Sequence, residues 1–192
     1  NNRNELHIDY SGVTDKACHV NLTQHTYFNL NGVTGDVLNH EVLIDADHFT
    51  EVNDESIPTG KILPVADTPL NFKKIHKIGD RIQDILPGYD HNYVLNKKKE
   101  DVLSFAAWVK EEKSGRILEA YTTQPGMQLY TANFLDIPVA GAHGKPYGKH
   151  SAFCLETQHY PDSPHHPNFP STLLRPGETF SQKTVFVFRV AK

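Results

Sequence analysis

Apolar residues alternate with polar ones along most of this chain, and turn residues break the runs at short intervals. A period of two belongs to strands half buried in a sheet, because successive side chains leave opposite faces. "ELHIDYSGV" sets Leu6, Ile8 and Tyr10 against His7, Asp9 and Ser11. "HEVLID" follows as a second strand, and "DVLSFAAWVK" and "RILEAYTT" flank "EEKSG" as a hairpin. "MQLYTANFL" predicts a strand with Gln128, Tyr130 and Ala132 on one side. "QKTVFVFRV" predicts a strand buried on both faces. Turn markers stand between the runs: Asn31-Gly32, Thr34-Gly35, Pro58-Thr59-Gly60, Pro87-Gly88, Pro125-Gly126 and Pro176-Gly177. Only "KKIHKIGDRIQDIL" has helical spacing, at Ile75, Ile78, Ile82 and Ile85, and predicts a short amphipathic helix. Without βαβ alternation the expectation is an all-β sandwich or barrel in one domain. Residues 140–149 read as a flexible surface excursion.

Several function classes fall away on composition. The chain has 192 residues and a net charge of -4 with no basic stripe, which disfavours nucleic acid and anionic membrane. No apolar run approaches the roughly 20 residues of a membrane helix. The opening residues read as the tip of a hairpin and not as a signal peptide. The two cysteines, Cys18 and Cys154, lie in apolar surroundings and are expected to be buried free thiols of a cytoplasmic protein. Phosphate-cradling glycine loops and a nucleophile elbow are absent, which removes nucleotide chemistry and most acyl transfer.

Twelve histidines raise the question of a metal. The HxxxH and CxxC spacings are missing, adjacent His165 and His166 should point apart, and His159 has no nearby partner in sequence, so no metal site is expected. Four polar residues interrupt core-like stretches. His25 breaks "VNLTQHTYFNLNG", in which Val20, Leu22, Tyr27, Phe28 and Leu30 read as core. Asp90 follows a Pro-Gly turn in "LPGYDHNYVL", with Tyr89 and Tyr93 as possible flanking aromatics for a sugar. Gln128 sits on the strand "PGMQLYTANF". Glu156 ends the apolar run of "FCLETQHYPDSP" just before a Pro-rich turn, where a base on a rigid strand end could work. Each has a plainer reading: a histidine in a bulge, an aspartate capping a turn, an outward strand position, a strand-end glutamate.

Taken together, "VNLTQHTYFNLNG", "GYDHNYVL", "PGMQLYTANFL" and "FCLETQHYPDSPHHPNFPSTLLRPGE" resemble the galactose mutarotase (aldose 1-epimerase) family, in the family's order, over residues from about 20 to 178. The resemblance implies a large antiparallel β-sandwich with an open sugar cleft. It implies His25 as general acid, Glu156 as general base, and Asp90 and Gln128 as sugar-binding residues. Gln24 stands where the family often has asparagine. The implied reaction interconverts α and β anomers of a hexose such as galactose or glucose by ring opening and reclosure, without a cofactor, in a monomer or homodimer. By the same resemblance, residues 1–192 correspond to the C-terminal portion of a longer family domain. The portion before it would supply further strands, an arginine or asparagine, and a second histidine. The alternatives are a glycosidase pairing Asp90 with Glu156, for which a retaining mechanism sets about 5 Å between carboxyls; a non-catalytic sugar-binding module on the same fold; and a hexose-phosphate epimerase relative. The last would need a basic cluster, and Lys97-Lys98-Lys99 reads better as a solvated loop.

Overall fold

The computed structural model describes residues 1–33, 35–141 and 144–191. Thr34 of the expected Thr34-Gly35 turn and the centre of the 140–149 excursion lie outside the described residues. The strands are, in chain order, β1 (Glu5–Gly12), β2 (Cys18–His19), β3 (Glu41–Ile44), β4 (Ala46–Val52), β5 (Pro58–Pro64), β6 (His76–Lys77) and β7 (Asp90–Leu95). The second half adds β8 (Ser104–Lys110), β9 (Arg116–Thr122), β10 (Gly126–Tyr130), β11 (Cys154–Gln158), β12 (Leu173–Leu174) and β13 (Phe180–Val190). They form a six-stranded sheet in the order β1-β13-β9-β8-β3-β6 and a five-stranded sheet in the order β11-β10-β7-β4-β5. Every pairing in them is antiparallel. β12 and β2 pair as a small separate ribbon. The all-β, antiparallel expectation holds.

Inner faces supply the core. Val42, Ile44, Val109, Leu118, Ala120 and Phe186 come from the six-stranded sheet; Tyr93, Leu95, Met127, Leu129 and Leu155 come from the other. Phe28 is wedged between them, its ring centroid 5.2 Å from that of Phe186 and 5.8 Å from that of Phe153. The hydroxyls of Thr157 on β11 and Thr184 on β13 meet at 2.5 Å. Among the described residues no helix is long and apolar enough to cross a membrane, which says nothing about strands that cross one.

Several local expectations are corrected. The isoleucine-spaced segment is not an α-helix. It makes two 3-10 turns, Ile78–Asp80 and Ile82–Asp84. The Ile78 and Gly79 amides donate to His40 and Leu38 carbonyls of a neighbouring loop and not along a helix. A Cβ at Gly79 would meet the Leu38 carbonyl oxygen at 3.0 Å. Ala132 does not continue β10: it is buried with φ of 48° after the strand has ended. β13 is buried on both faces only over residues 184–187, and Phe188, Arg189 and Val190 are exposed. Cys18 is exposed, on the small ribbon, whereas Cys154 is buried; both are free. Leu22 and Tyr27 are largely exposed. Lys97 is not merely solvated, since its ammonium donates to the Val102 and Thr122 carbonyls and the Ser104 hydroxyl.

β11 is an edge strand, yet all five of its residues are buried. An open edge normally leaves unpaired backbone groups for another strand to capture. Here residues 21–28 run along it. Phe28 and Phe153 exchange backbone hydrogen bonds at 2.8 and 2.9 Å. The Gln24 side-chain amide donates to the Leu155 carbonyl at 2.6 Å. The Asn21 amide donates to the His159 carbonyl and its oxygen accepts from the His159 amide, both at 3.0 Å. Side-chain amides thus complete the edge that a regular strand would otherwise pair.

Candidate active site

The register of β11, β10 and β7 writes the site. Glu156 lies opposite Gln128, which lies opposite Asn92; Cys154 lies opposite Tyr130, which lies opposite Asp90. Directly opposed residues share a face, so these six side chains leave one side of the sheet, while Leu155, Leu129 and His91 leave the other. The strap at residues 21–28 then brings His25 over this face. His25, Asp90, Gln128 and Glu156 all line one open cleft of about 320 Å³.

His25 Nε2 lies 3.5 Å from Glu156 Oε1. Its Nδ1 lies 3.5 Å from Cys154 Sγ, so Nε2 is the nitrogen that faces the cleft. The ring stacks on Tyr27, with centroids 5.0 Å apart and planes at 25°, and meets the edge of Tyr130 at 5.9 Å. Gln128 donates its amide to Asp90 Oδ1 at 2.7 Å. Gln158, two residues along β11 from Glu156, donates to Gln128 Oε1 and Asn92 Oδ1, both at 3.3 Å. A Cβ at Gly126 would stand 2.6 Å from Asn92 Oδ1 and 3.0 Å from the Tyr160 ring, so only glycine leaves this amide network its room.

Electrostatics set Glu156 apart from an ordinary carboxyl. Burial pushes Glu156 up from 4.5 to about 6; the nearby His25 opposes the shift and the Asp90 charge adds to it. A carboxyl with its pKa near neutrality is suited to take and return a proton. Burial also pushes the Cys154 thiol far above its usual range, with Glu156 and Asp90 reinforcing it.

The structure places other singled-out residues elsewhere. Tyr89 and Tyr93 are buried in the core and cannot flank a sugar, because their odd positions on β7 and its lead-in turn them away from Asp90's face. The aromatics of the cleft are Tyr27, Tyr130 and Phe134. His165 and His166 do not point apart but converge on the Asp162 carboxylate, at 2.5 and 3.2 Å. His159 Nδ1 donates to Gln124 Oε1, 2.7 Å away. Sequence reasoning missed Asn92, Tyr130, Cys154 and Gln158. Each is two residues from a residue it had picked, so strand alternation alone was a sufficient signal. It also missed that His25, Cys154 and Glu156 each offer a donor atom within 4.8 Å of the other two. Donors 129 residues apart leave no trace in local spacing.

Residues 1–187 match the family model described as aldose 1-epimerase. Galactose mutarotase of Homo sapiens is 48% identical over 189 residues, covering 97% of this chain and 55% of that protein. Aldose 1-epimerase of Escherichia coli (strain K12) is 38% identical over 194 residues, covering 96% of this chain and 55% of that protein. The crystal structure of an aldose epimerase homologue from C. elegans superposes with a TM-score of 0.90 at 31% identity, over 100% of this chain and 57% of that chain. That of galactose 1-epimerase from Lactobacillus acidophilus NCFM superposes with a TM-score of 0.81 at 24% identity, a likeness of fold. The chain spans about half the length of the curated relatives it matches. On the match of nearly its whole length to the family model, and on its identity to these relatives, the chain belongs to the aldose 1-epimerase family.

Proposed function

We propose that this protein is a galactose mutarotase-type aldose 1-epimerase, which interconverts the α and β anomers of a free hexose. The observation that carries the reading is the facing pair His25 and Glu156, 3.5 Å apart, above an Asp90–Gln128 hydrogen bond in one open cleft. Glu156 takes the proton from the anomeric hydroxyl, and His25, protonated, gives one from Nε2 to the ring oxygen. The C1–O5 bond breaks and the aldehyde forms. Rotation about C1–C2 presents the other carbonyl face, and the ring closes with the proton transfers reversed. A positioned acid or base typically contributes about 10² to 10⁴-fold. Asp90 and Gln128 hold sugar hydroxyls so that the anomeric centre rests between base and acid. Asp90 and Glu156 lie on strands separated by β10, roughly 10 Å between strand axes, which suits opposite ends of one sugar. The names of the relatives support galactose as the first hexose to test. We place the protein in the cytoplasm, in keeping with two free thiols, as a monomer or homodimer.

Polarimetry of freshly dissolved α-D-galactose tests the reading. The chain should accelerate mutarotation, and Glu156→Gln should lose at least 100-fold of that acceleration. A Glu156→Gln variant as fast as the unaltered chain would overturn the assignment of Glu156. A chain that binds galactose but does not accelerate the reaction, even when the preceding portion of the family domain is restored, would make this a sugar-binding module.

A further inference from the structure

We infer that the same cleft binds a thiophilic divalent cation of the zinc class through His25, Cys154 and Glu156, and that this cation is an inhibitor competing with the sugar. The inhibition rests on the mutarotase reading; the binding does not.

The donor set is built by three separate features of the fold. Cys154 and Glu156 are two apart on β11, so they leave the same face. The Gln24 bond to the Leu155 carbonyl pins the strap between them, which sets His25 over both. One donor atom from each of the three lies within 4.8 Å of the others. Zinc bonds of about 2.3 Å to sulfur and 2.0–2.1 Å to nitrogen, at a tetrahedral angle, place those donors about 3.6 Å apart. The observed Sγ to Nδ1 separation is 3.5 Å. The pair is therefore already spaced for a shared tetrahedral cation. The carboxylate must close on it by an amount on the order of 1 Å, within reach of side-chain rotation. His25 can move to assist, since half of its side-chain surface is exposed.

Chemistry selects the class of cation. Nitrogen, sulfur and one carboxylate suit zinc or cobalt, whereas magnesium and calcium require oxygen shells. Binding displaces the thiol proton, which leaves to solvent as the thiolate–metal bond forms. Asp90 adds negative charge beside Glu156 and so favours the cation. Three protein donors leave a fourth position for water. The occupied site uses the Glu156 oxygen and the His25 ring that proton transfer requires, so cation and productive sugar exclude one another.

Cobalt(II) reports the site directly, because a thiolate ligand gives a near-ultraviolet charge-transfer band that histidine and carboxylate ligands do not. The 192-residue chain titrated with cobalt should develop this band to one equivalent, and zinc should displace it. The band should vanish in Cys154→Ser and persist in Cys18→Ser; Glu156→Gln should weaken cobalt affinity at least tenfold. Circular dichroism verifies that each variant is folded. In parallel, zinc should slow the mutarotation of α-D-galactose, a chelator should restore it, and the half-inhibiting zinc concentration should rise at least tenfold in Cys154→Ser, measured against that variant's own zinc-free rate. Absence of the band in the unaltered chain, or a band that survives Cys154→Ser, overturns the site. A band with no mutarotation, even when the preceding portion of the family domain is restored, refutes the mutarotase reading and leaves the cation site standing. Mutarotation that zinc does not touch, with no band, does the reverse.

Discussion

Glu156 carries opposite demands at the scale of one residue. Burial raises its pKa to about 6, so the fold prefers it protonated. The folded state then keeps a proton between about pH 4.5 and 6 that the unfolded chain releases. By linkage its contribution to stability is full below pH 4.5 and is lost as the pH rises through 6. The proposed role as base, in contrast, requires the carboxylate. Mutarotation should therefore fall about tenfold per pH unit below about pH 6. Glu156→Gln, which cannot ionise, should be inactive yet more stable than the unaltered chain at pH 7.5, on the order of 1 kcal/mol, with the gain gone at pH 4.5. Thermal melts at the two pH values check it; equal destabilisation at both would show that the buried charge costs the fold nothing. The residues of this site were partly legible. Glu156 and Gln128 stand out because each breaks a core-like stretch, and Asp90 because it opens a strand directly after a Pro-Gly turn. Which aromatics accompany them was legible only through strand parity: Tyr130 shares the face of Gln128, while Tyr93 is one residue out of step with Asn92 and faces the core.

Elements were legible where the period of two was long and misread where tertiary partners decided. β9 and β10 follow their alternation because each buries one face, whereas β1 leaves Leu6 exposed and β8 buries Ala106 and Ala107 together at a bulge. The segment with Ile78 and Ile82 has helical spacing, yet both side chains are buried by two 3-10 turns, and the Ile78 and Gly79 amides of the first are claimed by the His40 and Leu38 carbonyls. Competing backbone partners from 40 residues away have no local signature. The same holds for the strap at residues 21–28, an element without regular structure that completes the edge of β11. Gln24 is its central fastener: its amide donates to Leu155 and its oxygen accepts from Thr26. Gln24→Ala should cost about 1 kcal/mol of stability, the usual worth of such a bond. It should cost at least tenfold in kcat, because His25 loses its register over Glu156. Gln24→Asn, which retains both amide functions on a shorter arm, should recover part of the rate. Amide exchange at Thr26 offers the structural readout and should quicken in the alanine variant. Wild-type turnover in Gln24→Ala would mean that the Phe28–Phe153 bridge alone positions the histidine.

At the scale of the whole molecule, site and core depend on one another through the contact between sheets. The strap that carries His25 ends in Phe28, whose ring lies between Phe153 beside β11 and Phe186 on β13. Thr157 and Thr184 join the same two strands by their hydroxyls. The five-stranded sheet, with its cleft face outward, is thus held at its β11 edge by the six-stranded sheet, and the two should unfold as one unit. The molecule contains a reporter in each. Trp108, the sole tryptophan, sits on β8. Cys154 sits buried on β11, and Cys18→Ser silences the exposed thiol. In urea the fluorescence of Trp108 and the reactivity of Cys154 should change at one midpoint. Phe28→Ala removes the wedge and should lower both midpoints together, by about 2–4 kcal/mol, toward the range for truncating aromatic core residues. If the Cys154 transition instead came at lower urea than that of Trp108, the five-stranded sheet would be opening while the other remained folded. The strap and Phe28 would then be a hinge of the cleft and not a joint of the core, and the His25–Glu156 distance would vary with that opening.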